Sequence, residues 1–434
     1  MSESTGAEPS RSNPEVSTSD DDSIARHRSP LADPKIAAAI WLVALIVLAS
    51  IATKLPARAN QIDFSHYYTS ALLLREGVNP YRVDLTSKAT ALGLDVSLNP
   101  RATYPPTFIL CFEPLTLMSP AHAYWTWIAF NVIAIALAIA LLLGPRSHLD
   151  IVTALSLAGF TILFPAFGNN FKFAQTQGLM LLLLVLVMRS LESGKDRVAG
   201  ATLALAVLLR IFPVIMFGYL AVRRRWRALG FALASLAIGA AITTLLVGLR
   251  TVLDFRIAIA YITGYRWLIR SANVALNAFI ARIFVYSAGL PLSQTLDRVR
   301  QMLEVACELA LLALTITVSR APRDSPDADS RAFSLWIVTT ILLAPTAWPH
   351  YLVLLFIPFA QIISAHSAGR ASSRSLRTAY ASYFVVTGLF FVLDTMRRAM
   401  PENLITLLQE APFMTLALAY LATIWFVLDR RELA

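Results

Sequence analysis

Four ionisable side chains stand in or beside long apolar runs, where a charge is expensive. They are Asp63 in QIDFSHYY, Lys172 in NNFKFAQTQG, Arg210 in VLLRIFP and His350 in TAWPHY. An arginine at the centre of a bilayer costs roughly 2.5–3.5 kcal/mol on insertion scales, so such residues usually face a polar cavity or a ligand. A carboxylate at the mouth of a helix bundle can act as a general base, and cations there can hold an anion. These residue types are therefore candidates for a polar site within the membrane domain.

The same residues also have purely structural interpretations. Asp63, with Tyr67 and Tyr68, fits a solvated loop beside interfacial aromatics, since Tyr is enriched at membrane boundaries. Arg210 fits a side chain that snorkels to the interface, and His350 fits a hydrogen-bonded core histidine. From the residues alone, both interpretations stay open.

Motifs for nucleotide and zinc sites are missing from the sequence. No Walker A, GxGxxG or HExxH pattern occurs, so we expect no cofactor and no metal. The one Asp-x-Asp pair, Asp327 and Asp329, lies in APRDSPDADSR, which we interpret as a solvated cytoplasmic linker. Cys111 and Cys307 show no CxxC spacing, and we interpret them as small buried hydrophobes.

The elements that must position these side chains are membrane helices. Of the 434 residues, 57% are hydrophobic and 15% are charged, whereas soluble domains carry about 25% charged residues. The apolar runs reach the ~20 residues that a helix needs to cross a bilayer. This composition excludes a soluble enzyme, a nucleic-acid-binding domain and a disordered protein, and the positive-inside rule explains most of the net charge of +10. We predict an all-α polytopic membrane protein with about twelve transmembrane helices.

The chain divides into a tail, a membrane domain and two long outward loops. Residues 1–33 are rich in Ser, Asp, Pro and Glu and are predicted to be a disordered cytoplasmic tail. Residues 34–430 form the predicted membrane domain, with outward loops at 55–104 and 250–301. The predicted spans are 35–54, 106–118, 122–144, 150–166, 174–190, 197–221, 227–249, 302–319, 332–346, 348–366, 376–395 and 411–429.

Basic clusters set the predicted orientation. The positive-inside rule places the arginine-rich turns at 223–227 and 370–377 in the cytoplasm. The segment RSLESGKDR at 189–197 also carries this signature, and all three fit only if the span at 150–166 or the one at 197–221 is broken. Proline breaks helices, so we expect the break at one of two positions, Pro165 or Pro213. The first loop then faces outward from a plasma (inner) membrane.

An ordered series of motifs runs along these spans. The first outward loop holds DFSHYY (63–68), GVNPYR (77–82) and ATYPPTF (102–108). Downstream come QTQGLMLLLL with Gln177, LLRIFPVIMFGYLAVRRRWRA with Arg210, RSANVALNAFIARIF with Asn273 and LAPTAWPHYLVLL with His350. The series, over about residues 35–430, resembles glycosyltransferase family 87 of the C-type superfamily, whose integral-membrane enzymes use polyprenyl-phosphate sugars.

The sequence departs from the usual family pattern at several motif positions. Arg210 stands where the family usually has Lys, and His350 is a single histidine where a pair is common. Ala174 and Gly178 replace the usual residues around Gln177, and 274–275 read Val-Ala instead of Gln-Ser. These departures leave the reaction type standing and leave the sugar and the acceptor open.

The resemblance implies an inverting hexosyltransferase with an outward-facing active site. Its partners would be a polyprenyl-phosphate sugar, with mannose first and arabinofuranose second, a lipid or glycan acceptor, and membrane lipids. It implies that Asp63 is the general base, with His350 as the second catalytic residue, and that a cationic pocket replaces a metal at the phosphate. The expected substrate-binding residues are Lys172, Arg210, Arg266, Arg270, Gln177, Tyr67, Tyr68, Tyr104 and Asn273. The alternative is a transporter or lipid flippase without covalent chemistry.

Overall fold

The structure is a computed structural model that describes residues 30–55, 62–97, 99–144, 149–288, 292–320, 327–383 and 410–429. Within these ranges the regular elements are all helical, so the prediction of an all-α chain is confirmed. Most of the predicted tail lies outside the described residues. Its last part, Pro30–Ala32, forms a short 3-10 turn.

We label the α-helices in chain order. They are α1 (Pro34–Lys54), α2 (Ile62–Arg75), α3 (Thr86–Ala91), α4 (Pro106–Phe112), α5 (Pro120–Leu143), α6 (Ile151–Leu163), α7 (Pro165–Lys172), α8 (Gln177–Glu192), α9 (Asp196–Leu209), α10 (Met216–Val222), α11 (Trp226–Val247), α12 (Leu249–Ile262), α13 (Tyr265–Leu268), α14 (Leu276–Ala288), α15 (Gln294–Ser319), α16 (Ala328–Leu342), α17 (Phe356–Ser367), α18 (373–383) and α19 (Ala411–Leu428). Further 3-10 turns cover Glu113–Leu117, Phe212–Ile215 and Pro349–Leu355.

Six helical segments of the described residues are long and apolar enough to cross a membrane. They are α1, α5, α11, α15, Pro349–Ser367 and α19, and the bent pair of α6 and α7 makes a seventh if it counts as one span. The chain is therefore a polytopic membrane protein. The predicted number of about twelve is not confirmed, because apolar runs such as α8 and α9 form helices shorter than the ~20 residues of a full span.

Helices are broken at both of the proline positions that the sequence singled out. The axis bends by 51° between α6 and α7, where Pro165 begins the second helix. The run at 197–221 is interrupted where α9 ends at Leu209, and Pro213 lies in the 3-10 turn that follows. Proline has no N–H to donate and its ring clashes with the preceding turn. As a result Arg210 lies in extended backbone at a helix end, not in the middle of a span.

The two polar interruptions are folded into helices rather than open loops. The first contains α2 and α3, and α2 packs its aromatic residues against α4. The second contains α12, α13, α14 and the start of α15. The bundle below them is tight: a Cβ on Gly200 of α9 would lie 2.3 Å from the carbonyl oxygen of Ala228 in α11. Close approach of this kind is typical of small residues between membrane helices.

Two expectations about individual side chains were wrong. Cys111 is exposed and Cys307 is partly exposed, because in a membrane bundle an apolar run covers the lipid-facing surface as well as the core. Asp327 and Asp329 do not belong to a solvated linker. Asp327 pairs with Arg370, and the Nη2 atom of Arg223 lies 2.5 Å from the Asp329 carboxylate.

The basic segments gather at one end of the bundle, which we call the basic end. Arg225, from the arginine-rich turn before α11, pairs with Asp329 at the start of α16. The same side chain lies 3.8 Å from Asp196 at the start of α9. Ser330 donates a 3.0 Å hydrogen bond to Glu192 at the end of α8. These contacts join three of the segments that the sequence analysis placed on one face.

Candidate active site

Asp63 lies in the first turn of α2. It is hydrogen-bonded to Gln175, which precedes the start of α8, whereas the other end of α8, at Glu192, belongs to the basic end. The phenol of Tyr104 donates a 3.1 Å hydrogen bond to Oδ1 of Asp63. The side chain of Gln175 forms a second hydrogen bond to the carboxylate. Tyr104 is placed by Pro105, which precedes α4, and by Pro106, which begins α4 with the fixed backbone angle that a first helical turn accepts.

Gln175 joins three side chains of the site. Its Oε1 atom accepts a 3.1 Å hydrogen bond from the Tyr67 hydroxyl and a 3.2 Å hydrogen bond from Nη2 of Arg210. The turn between α7 and α8 aims it there, since Ala174 adopts a left-handed backbone conformation with φ of 49°. The indole of Trp127 donates a 2.7 Å hydrogen bond to the Ala174 carbonyl and holds that turn.

Arg210 brings a cation next to the carboxylate. Its guanidinium carbon lies 4.7 Å from the centre of the Tyr104 ring and 5.9 Å from that of Tyr351. Cation–π contacts of this kind stabilise a desolvated charge. Within the described residues its buried Nε atom has no hydrogen-bond partner. This N–H group can therefore donate a hydrogen bond to an anionic ligand without breaking an existing contact.

His350 lies on the 3-10 turn Pro349–Leu355, near Arg210. Its ring is buried, and Nε2 has no hydrogen-bond partner among the residues that the structure describes. The charge of Arg210 is close enough to act on the imidazole. The neighbouring Tyr351 packs on Phe212, with ring centres 4.9 Å apart. His350 and Asp63 therefore flank the same cation.

The electrostatics of Asp63 favour a proton acceptor. Burial raises the pKa of its carboxyl, and the hydrogen bonds from Gln175 and Tyr104 together with the charge of Arg210 oppose that rise. A carboxylate with a raised pKa is a stronger base than an exposed one, which suits general-base catalysis near neutral pH. His66, one turn further along α2, has its pKa lowered to about 4 by burial and is neutral at that pH.

A second group of predicted residues, at 266–273, packs against the segment that precedes His350. Arg266 and Arg270 both lie over the indole of Trp267, with their guanidinium carbons 5.5 and 4.8 Å from a ring centre. Trp267 meets Trp348 edge to face at 6.0 Å. Asn273 is buried, and its Oδ1 accepts a 3.0 Å hydrogen bond from the Ala347 amide. Trp267 thus links Arg266 and Arg270 to the segment that carries His350, and Asn273 holds that segment through Ala347.

Comparison with known proteins identifies the family. The profile of glycosyltransferase family 87 matches residues 102–346. This chain belongs to glycosyltransferase family 87. The match covers more than half of the chain and includes Tyr104, Gln175 and Arg210, while Asp63 lies well before its start and His350 lies just past its end. The comparison with curated proteins found no match.

Three predicted binding residues of this membrane glycosyltransferase take no part in the hydrogen bonds described above around Asp63. Lys172 is exposed, with its ammonium 5.2 Å from the ring centre of Phe173. Tyr68 donates a 2.8 Å hydrogen bond to the Met118 carbonyl, because it points to a different side of α2 from Tyr67. Gln177 is buried in the first turn of α8, where its amide atoms have no hydrogen-bond partner within the described residues.

The hydrogen-bond network of the candidate site contains one residue that the sequence analysis missed. Gln175 stands two positions before Gln177 in the segment QTQG, and the motif comparison selected the second glutamine. The position of Gln175 before α8 could have identified it. A side chain in a turn can point out of the bundle core, whereas a side chain inside α8, such as that of Gln177, packs within the core. In the described ranges no group of three His, Cys, Asp or Glu side chains that could hold a metal ion occurs.

Proposed function

We propose that this family 87 enzyme transfers a sugar from a polyprenyl-phosphate donor to a lipid or glycan acceptor with inversion at the anomeric carbon. Mannose is the first candidate sugar and arabinofuranose the second. One observation carries the proposal. Asp63 and Arg210 are both hydrogen-bonded to Gln175, so a base and an anion-binding cation lie side by side.

In the proposed reaction the acceptor hydroxyl oxygen attacks the anomeric carbon of the donor sugar. The bond from that carbon to the phosphate oxygen breaks, and polyprenyl phosphate leaves as the anion. The acceptor's proton passes to the carboxylate of Asp63. His350 lies near enough to Arg210 to orient the acceptor or the donor phosphate, since a neutral imidazole both donates and accepts hydrogen bonds.

Arg210 is the proposed partner of the donor phosphate. Its unused Nε donor and the aromatic rings of Tyr104 and Tyr351 form a site in which a guanidinium can grip phosphate oxygens through two parallel hydrogen bonds. Such a cation stabilises the charge that develops on the leaving group. Arg266 and Arg270 remain candidates for contacts further out along the substrate.

We further propose that the site faces the outside of the plasma (inner) membrane. Helix α8 begins beside Gln175 and ends at Glu192, which belongs to the basic end. The site and the basic end therefore lie at opposite ends of the bundle, and the positive-inside rule assigns the basic end to the cytoplasm. A lipid-linked sugar would then reach Asp63 from the outer leaflet.

The deciding experiment incubates purified protein with polyprenyl-phosphate mannose or polyprenyl-phosphate arabinofuranose and a panel of lipid acceptors. We expect release of polyprenyl phosphate together with a glycosylated product from one of the two donors. Asp63→Asn protein that elutes normally in detergent is the matched control and should release little. If neither donor is consumed with any acceptor, the glycosyl-donor class is wrong and lipid transport becomes the better explanation.

A further inference from the structure

The segment GVNPYR, which follows α2, is tied to α12 through one buried carboxylate. Asn79 donates a 2.9 Å hydrogen bond to Oδ2 of Asp254. Arg82 grips the same carboxylate with two nitrogens, and its Nη2 lies 2.9 Å from Oδ1. The side chain of Asp254 is only 3% exposed. Two segments that are about 170 residues apart in sequence are thereby held together, and such bidentate arginine contacts fix geometry as well as charge.

Tyr81 lies between these two donors and points the other way. It is almost fully buried, and its ring centre lies 5.6 Å from that of Phe255, the residue after Asp254. Its hydroxyl donates a 2.6 Å hydrogen bond to the backbone carbonyl of Tyr104. Tyr81 therefore connects the Asp254 contacts on α12 to Tyr104, the residue whose phenol hydrogen-bonds Asp63.

Tyr104 has two roles at the site, and both depend on where its backbone is held. Its phenol donates to Asp63, and its ring lies under the guanidinium of Arg210. The peptide that carries it precedes two prolines, so the chain on that side has little freedom to adjust. A displacement of about 1 Å of a group that aligns the reacting atoms can change a rate by about 100-fold.

We propose that Tyr81 is a positioning residue that holds the Tyr104 phenol against the Asp63 carboxylate and so orients the base. Tyr81 is itself held in place because its neighbours Asn79 and Arg82 both bind Asp254. This role rests on the proposed function of Asp63. It gives the GVNPYR motif a purpose beyond forming a turn, and it makes α12 part of the catalytic support although none of its residues contacts Asp63 directly.

The first test is a double-mutant cycle on turnover. Tyr81→Phe removes one hydroxyl and keeps the ring, and we expect kcat to fall about tenfold while the KM for the polyprenyl-phosphate sugar stays near its wild-type value. Tyr104→Phe should also lower kcat. Since both changes remove the same alignment, the double variant should be no slower than Tyr104→Phe alone. A double variant whose loss in kcat equals the product of the two single losses would overturn the proposal.

The second test needs no substrate, so it separates this proposal from the proposed function. Within the described part of the chain, the titratable or charged groups that face Asp63 are Tyr67, Tyr104 and Arg210. Losing the Tyr104 hydrogen bond removes a contact that favours the carboxylate, so the pKa of Asp63 should rise by about half a unit to one unit in Tyr81→Phe. Dicyclohexylcarbodiimide reacts with the protonated carboxyl, and mass spectrometry of the Asp63 peptide gives the pH of half-modification.

Lys88→Gln is the control for both tests. It breaks an exposed 2.6 Å ion pair with Glu76 in the same outward segment and touches neither Tyr81 nor Tyr104. We expect wild-type turnover and an unchanged pH of half-modification. Tyr81→Phe protein that elutes normally and matches wild type in both measurements would overturn the positioning role. Transfer activity that survives in Asp63→Asn would instead overturn the role of Asp63 itself.

Discussion

Asp63 is the residue whose side chain should matter most to the rate. Replacing it with Asn keeps the shape and one acceptor oxygen but removes the basicity. We expect Asp63→Asn to lower kcat by about 100-fold or more, which is the usual contribution of a positioned base, while donor binding survives. Glu76→Gln, which changes an exposed carboxylate on the same segment, should leave kcat unchanged. An Asp63→Asn enzyme with near-normal kcat contradicts the assignment.

Arg210 should control the affinity for the donor phosphate. Arg210→Ala removes the charge and is expected to weaken binding of polyprenyl phosphate by at least about tenfold, as the loss of a charge-assisted pair does. Arg210→Lys should keep part of the affinity, because the charge remains and the two-pronged grip does not. Equilibrium binding to detergent-purified variants measures both, with Lys172→Gln as the exposed comparison. Normal binding by folded Arg210→Ala would move the phosphate site to Lys172.

The pH dependence of turnover should report the state of Asp63. Its pKa is raised by burial, so kcat is expected to fall as the pH drops through that raised value and the base becomes protonated. Gln175→Leu removes a hydrogen bond that favours the charged form, which should move this acidic limb to higher pH. Gln177→Leu, two positions away, is the matched comparison and should keep the wild-type limb. A limb that moves to lower pH in Gln175→Leu would refute the mechanism.

At the scale of helices, features set by local sequence could be predicted, whereas features that depend on packing between distant segments could not. The breaks at Pro165 and Pro213 follow from the geometry of proline alone, so the sequence was sufficient to name them. The folding of α2 was not predictable, because its burial depends on packing against α4, more than thirty residues later. For the same reason Gln175 was missed, since the left-handed turn at Ala174 that aims it is held by a contact with Trp127.

Asn273 should stabilise the turn that leads to His350. Its side chain is fully buried and accepts hydrogen bonds from the amides of Ala347 and Ala275. In Asn273→Ala the buried Ala347 amide loses its acceptor, at a cost of about 1–3 kcal/mol, so thermal unfolding in detergent should begin at a lower temperature. Asn277→Ala removes a solvent-exposed hydrogen bond to the Pro345 carbonyl and should cost less. Equal losses in the two variants would contradict this explanation.

At the scale of the whole molecule, the two ends of the bundle differ in how their arginine side chains are paired. At the basic end the arginines are paired with carboxylates: Asp329 receives Arg223 and Arg225, and Asp327 receives Arg370. At the other end Arg210 is held mainly by aromatic faces and an amide, which leaves it able to meet an anion. A bundle of this kind separates the residues expected to set its orientation from those proposed to do chemistry.

The orientation itself can be tested by labelling cysteines in intact cells. Ser87 lies on α3 in the segment predicted to face outward and Arg224 lies in the turn before α11, and both are exposed. In a background where Cys111 and Cys307 are changed to Ser, a membrane-impermeant maleimide should label Ser87→Cys without permeabilisation. Arg224→Cys should react only after the membrane is opened, because the positive-inside rule holds its arginine-rich turn in the cytoplasm. The reverse pattern would put Asp63 on the cytoplasmic side and rule out a donor that arrives from the outer leaflet.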